Sequence, residues 1–147
     1  MDFDAGFAAA SQAAMLGWLA LILLPRWRLL VAALRYGVVG LLALGYAALV
    51  FAWFFRVEGG GFASIAEVRT LFLSDPVLLA GWIHYLAFDL LIGVWEVRTA
   101  RREGIAFLLV LPCLVLTFLF GPAGFLVFSA LRAARLVQRG VAEAAVR

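Results

Sequence analysis

Three observations predict an all-α, polytopic integral membrane protein. Of the 147 residues, 67% are apolar and only 14% are charged, against roughly half and about a quarter in an ordinary soluble domain. The apolar residues gather into four long runs, and arginine, proline or glycine marks the ends of those runs. A spanning helix takes about 20 residues, so four spans nearly exhaust the chain. It therefore reads as a single transmembrane domain over residues 1–147, with no length left for a separate soluble catalytic domain. The same composition argues against a cytosolic domain, a disordered chain and a nucleic-acid-binding module. In lipid each backbone polar group must be satisfied within its own segment, which helices achieve.

The first span is read at about Phe7–Leu24. Pro25 stops it, and Arg26, Trp27 and Arg28 form an interfacial anchor. Ala13 and Gly17 offer a small-residue face for close packing. Ser11 and Gln12 can bond to backbone or to a neighbouring helix. The acidic Asp2 and Asp4 ahead of this run do not suit a cleaved signal peptide, whose leading region is basic. The second span is read at Tyr36–Phe55, between Arg35 and Arg56, with small residues at Ala43 and Ala47. The longest connection follows. Gly59, Gly60 and Gly61 make a flexible turn, and Ser64 with Glu67 has the spacing of a capping box. The spacing predicts a short amphipathic surface helix with Ile65, Val68 and Phe72 on one face.

Ser74-Asp75-Pro76 reads as a second helix start, with Pro in the first turn. The third span then covers Pro76–Val97 and ends at Arg98, Arg101, Arg102 and Glu103. The fourth is read from Gly104 to Leu131, bent by Pro112 and broken near Gly121-Pro122-Ala123-Gly124. A basic C-terminal helix follows, with Arg132, Arg135 and Arg139 on one face and Ala130, Ala134, Val137 and Val141 opposite. Four spans would put both termini on one side. The arginines then divide six against six, so orientation is undecided, with the acidic N-terminus favouring termini outside. A re-entrant turn at Gly121–Gly124 would move the C-terminus to the other side. All 12 basic residues are Arg, no Lys or Asn occurs, and the net charge is +3. That usage reads as a GC-rich, bacterial gene, and the location expected is the inner (plasma) membrane.

The third span carries the chemistry-bearing residues. His84 and Asp89 fall near mid-span, where ionisable groups cost about 3 kcal/mol on insertion scales. At 100° per residue, Trp82, Tyr85, Asp89, Ile92 and Glu96 share one stripe. His84 lies about 140° around the helix from Asp89 by the same geometry, so both face protein only if this helix is contacted on two sides. Such a central position is expected. For Asp89 the bland alternative is an internal ion pair with Arg35, Arg69 or Arg132. For Glu96 it is an interfacial salt bridge with Arg98 or the Arg101-Arg102 pair. Trp82, Tyr85 and Trp95 suit an interfacial belt or packing as well as a ligand wall. One His and one Cys exclude a bis-His haem, a histidine-rich di-iron site and a Cys/His zinc site. No metal site and no cofactor is expected. Cys113 is read as a buried, inert thiol. Metal-free general acid/base chemistry suits what is present.

The runs Leu71-Phe72-Leu73-Ser74-Asp75-Pro76, Gly81-Trp82-Ile83-His84-Tyr85-Leu86-Ala87-Phe88-Asp89-Leu90 and Pro112-Cys113 through Gly121-Pro122-Ala123-Gly124 resemble the abscisic-acid-deficient-four-like family. These are small membrane proteins of plants and bacteria, related to the plant factor needed for neoxanthin synthesis. The resemblance spans most of the chain, best from Leu71 to Arg132. It implies four membrane helices and a link to carotenoid metabolism. It also implies a lipid or carotenoid-like ligand. Turning a 5,6-epoxide into an allenic alcohol is an isomerisation that needs protons but no electrons. On that reading Asp89 is the acid, His84 the base and Tyr85 the group that orients Asp89. Trp82 would stack on the polyene, with Trp95 and Glu96 as further ligand contacts. The rival readings are a non-catalytic scaffold or subunit for pigment or lipid enzymes, a small proton-coupled transporter, and a lipid-modifying enzyme using the basic tail. A homo-oligomer is compatible with the small-residue faces.

Overall fold

The structure, a computed structural model, describes residues 2–145, with side chains described through residue 138. Every regular element among them is helical. Helix α1 is Phe3–Leu23, capped by Asp2, whose carboxylate accepts from the Ala5 N–H at 3.0 Å. Helix α2 is the continuous helical stretch Arg28–Arg56. Its Leu34–Val38 turn is a π-helix and its last turn, Phe54–Arg56, a 3-10 turn. Helix α3 is Ile65–Phe72, α4 is Asp75–Arg102, α5 is Phe107–Phe120 and α6 is Pro122–Ala145. Three of these, α1, α2 and α4, are long and apolar enough to cross a membrane.

Helix α4 is the axis of the molecule. It packs against α1, α2, α3, α5 and α6, and 15 of its 28 residues are buried. Two apolar clusters form along it. Trp18, Leu21, Leu90, Val94, Val110 and Phe128 belong to one, while Ala10, Ala14, Leu42, Leu49, Ile83 and Ala87 belong to the other. Small residues permit the close approach. A Cβ on Gly17 would lie 2.9 Å from Leu90 Cδ2, and one on Gly93 2.5 Å from Trp18 Cη2. The small face of α1 is therefore Ala10, Ala14 and Gly17, all buried. The Ala13 expected to share it is only partly buried, and Ala43 on α2 is exposed.

The capping box forms at α3. Ser64 Oγ accepts from the Glu67 N–H at 3.2 Å, and the Glu67 carboxylate accepts from the Ala63 N–H at 3.1 Å. The residue α3 buries is Leu71, whereas Ile65 is exposed. That differs from the face drawn from Ile65, Val68 and Phe72. Phe72 instead lies over Gly81, where a Cβ would meet its ring at 3.0 Å.

The last apolar run does not pass through the bundle as one rod. Helix α5 has only 14 residues, about 21 Å, against the ~30 Å of a bilayer's hydrocarbon. Gly121, at φ +44 and ψ −96, then reverses the chain. Two contacts show the return. Gly121 sits beside Asp89 at the middle of α4, yet Arg132 Nη2 reaches Glu103 Oε1, just past the end of α4, at 2.6 Å. A straight helix from Phe107 to Arg132 would separate its ends by about 38 Å. Helices α5 and α6 thus form a hairpin that runs in to the depth of Asp89 and back out. Gly124 closes it, because a Cβ there would collide with the Thr117 backbone nitrogen. The N-terminus and Arg132 consequently lie at opposite ends of the bundle, whereas a fourth through-running span would have put both termini together.

Candidate functional site

The cavity beside Asp89 is assembled from three elements. Helix α1 contributes Ser11, Ala14, Met15 and Trp18. Helix α4 contributes Trp82, Tyr85, Leu86 and Asp89, and the end of α5 contributes Phe118 and Leu119. The space is about 200 Å³. Its walls are aromatic and apolar, and each polar group but one has a structural partner. Trp82 Nε1 donates to Ser11 Oγ at 2.9 Å. The Tyr85 hydroxyl donates to the carbonyls of Phe118 at 3.2 Å and Leu119 at 3.4 Å. Those carbonyls belong to the last turn of α5, whose carbonyls lack intrahelical donors. Tyr85 therefore ties the hairpin tip to α4 as well as walling the cavity.

Asp89 is the exception. It is 5% exposed, and its Oδ2 has no hydrogen-bond partner. A Cβ on Gly121 would stand 2.6 Å from its Oδ1, so glycine serves both the positive φ of the turn and the room for this carboxyl. None of the arginines proposed from the sequence reaches it, since the ion pair found among the described residues is Arg132–Glu103.

The candidate residues on α4 separate into three groups. Trp82, Tyr85 and Asp89 meet in the cavity, with the Trp82 and Tyr85 rings 5.5 Å apart. His84 points elsewhere: it is exposed and packs between Tyr46 at 5.3 Å and Phe88 at 4.6 Å. An acid and base acting together from Asp89 and His84 on one bound molecule is not what this geometry assembles, because the two side chains leave the helix on different faces. Glu96 is fully buried and accepts from Thr117 Oγ1 at 2.9 Å. It locks the hairpin to α4, which replaces the expected interfacial bridge to Arg98. Trp95 packs on Phe125 and Phe128 of α6. Cys113 is buried, its thiol directed at the Leu109 carbonyl at 3.6 Å. Side chains beyond residue 138 lie outside the described residues, so the expected basic face is seen at Arg132 and Arg135 but not at Arg139 or Val141.

Sequence reasoning missed the partners from other elements. Ser11 was visible as a lone hydroxyl in an apolar run. Trp18 lies one turn beyond Ala14 and completes the same face. The carbonyls of Phe118 and Leu119 carry no side-chain signal, although the glycine that ends their helix does.

A family model described as ABA4-like, ABA DEFICIENT 4-like, matches residues 5–128. That match covers α1 through the buried Phe128 of α6, and so all three walls of the cavity. The chain belongs to the ABA DEFICIENT 4-like family. Its apolar helices fit a membrane protein of that family. No curated protein and no solved structure matches it. For an ABA DEFICIENT 4-like protein, the motif residues Trp82, Tyr85, Asp89 and Gly121 thus acquire a shared location.

Proposed function

We propose that the protein binds a carotenoid or another isoprenoid lipid with its end group in the Asp89 cavity. The observation that carries this reading is the buried, unpartnered Oδ2 of Asp89, a residue that lines an aromatic cavity. A buried polar atom without a partner is costly, and it suits a ligand that brings one hydroxyl or epoxide oxygen into apolar surroundings. At about 200 Å³ the space is smaller than the ~300 Å³ at which drug-sized pockets begin. An end ring fits that scale, with the polyene tail lying along the exposed, apolar flank of Trp82 and Phe7, whose rings stack 5.2 Å apart. Asp89 is the group placed to give a proton to, or share one with, that oxygen. Acid-catalysed isomerisation is the chemistry proposed for it: the carboxyl protonates the epoxide oxygen as its C–O bond opens, and the carboxylate left behind takes the proton lost from carbon, with no role for His84 inside the cavity. The membrane proposed is the plasma membrane, crossed by α1, α2 and α4 with the α5–α6 hairpin entering from one side.

The test is to purify the protein in mild detergent from a carotenoid-making host and record its absorption spectrum and the mass spectrum of extracted lipid. Asp89→Asn is measured beside it. A polyene spectrum carried by the parent and reduced in Asp89→Asn supports the reading. Colourless protein holding only phospholipid in both forms overturns it.

A further inference from the structure

A second feature lies apart from the Asp89 cavity, toward the basic end of the bundle. There α4, with Arg35 of α2, lines an open groove of about 500 Å³ in which Phe88, Leu91, Ile92 and Trp95 supply the apolar surface and Arg35, Arg98 and Arg102 the charge. A second space of about 430 Å³ adjoins it, sharing Arg98 and Arg102 and adding Arg28 and Arg101. Five arginines therefore line these two adjoining spaces, three of them, Arg35, Arg98 and Arg102, around the apolar groove. No acidic side chain among the described residues pairs with any of the five. Arg35 is held instead over the Tyr36 ring at 5.2 Å. Both residues sit in the π-helical turn Leu34–Val38, an irregularity often found where a helix serves a function.

We infer that this groove is a binding site for an anionic phospholipid of the surrounding bilayer, its phosphate among Arg35, Arg98 and Arg102 and one acyl chain along Leu91, Ile92 and Trp95. Guanidinium forks match phosphate oxygens bidentately, and the apolar channel directly beneath them demands a tail on the same molecule. A free phosphate would leave the channel walls unused. A zwitterionic lipid would bring a cation among unpaired arginines. The charge of the site and its apolar lining thus specify one class of occupant, and the π-helical turn carries Arg35 to it.

The test uses the whole protein in detergent, titrated with phosphatidylglycerol or phosphatidylcholine and read by native mass spectrometry. Retention of phosphatidylglycerol over phosphatidylcholine is expected. The double variant Arg98→Gln with Arg102→Gln should weaken that retention by about tenfold or more. Arg26→Gln with Arg56→Gln removes the same charge away from the groove and should leave it unchanged. Ile92→Trp fills the channel without altering charge and should also reduce retention. Circular dichroism shows that each variant is folded, and Arg98→Lys with Arg102→Lys, which keeps the charge, should recover part of the binding if the double glutamine variant fails to fold. Equal retention of the two lipids, equal losses from both arginine pairs, or an unaffected Ile92→Trp would each overturn the site.

Discussion

Gly121 and Asp89 have to be considered together, because each sets the terms for the other. The turn needs φ +44 at Gly121, and any Cβ there would press on the Asp89 carboxyl at 2.6 Å. Gly121→Ala should therefore lower stability by about 1–2 kcal/mol from backbone strain alone, with the carboxyl contact adding to it. Gly40→Ala is the control. A Cβ there meets nothing within 4 Å, and in a helix the change should be neutral or stabilising by about 0.4–1 kcal/mol. Thermal unfolding in one detergent compares the two, and equal effects would contradict the geometry. Glu96 offers a second case. Thr117→Val removes the hydroxyl that donates to it and should cost about 1–3 kcal/mol, the penalty for orphaning a buried acceptor. Glu96→Gln retains an acceptor for the same hydroxyl and should cost less.

Among the elements, the α5–α6 hairpin is the arrangement the sequence left as an alternative, a chain reversal at Gly121–Gly124 in place of a through-running fourth span. Hydropathy is blind to it, since a folded-back hairpin and a through-running span are equally apolar. Length was the available clue: Phe107 to Phe120 is about 9 Å short of a hydrocarbon core. The Gly121-Pro122-Ala123-Gly124 break was legible as a break, but its direction was not, because only tertiary contacts to Glu103 and Asp89 define it. By contrast, the end of α1 before Pro25, the capping box of α3 and the proline start of α4 were readable, as each rests on local chemistry, while the start of α1 at Phe3, capped by Asp2, lies four residues ahead of the Phe7 expected. Of the site, the Trp82–Tyr85–Asp89 stripe followed from helical periodicity on one element. The contribution of Ser11, Trp18 and the α5 carbonyls did not, since it depends on which neighbour packs where. The hairpin makes a direct prediction. With Cys113 replaced by Ser, cysteines at Glu103 and Arg132 should be joined by a short bis-maleimide linker, because the tips of the parent side chains meet at 2.6 Å, whereas a straight helix from Phe107 would carry Arg132 about 38 Å away. Failure to cross-link would favour a straight helix.

Over the whole molecule the hairpin changes the balance of charge. It carries Arg132 and Arg135 to the end already holding Arg26, Arg28, Arg98, Arg101 and Arg102, with Arg35 about two turns deeper along α2 than Arg28. The other end retains Arg56 and Arg69 beside Asp2, Asp4, Glu58, Glu67 and Asp75. The even division expected from four spans becomes a strong asymmetry. The positive-inside tendency then predicts the arginine-rich end in the cytoplasm and the N-terminus outside. In a Cys113→Ser background, a cysteine at Asp4 should label from the outside of intact cells, and one at Ala133 only after permeabilisation. Labelling of both from the same side would contradict this arrangement.

On the proposed function, the space between Ser11, Ala14, Trp82 and Asp89 holds the end of a lipid. The most direct test is steric. Ala14→Phe fills the cavity from a residue that is 1% exposed, whereas Leu16→Phe enlarges a side chain on the outer face that is 66% exposed. Polyene absorbance per mole of purified, folded protein should fall several-fold in Ala14→Phe and stay at the parent level in Leu16→Phe. Undiminished absorbance in Ala14→Phe would mean that the ligand sits elsewhere.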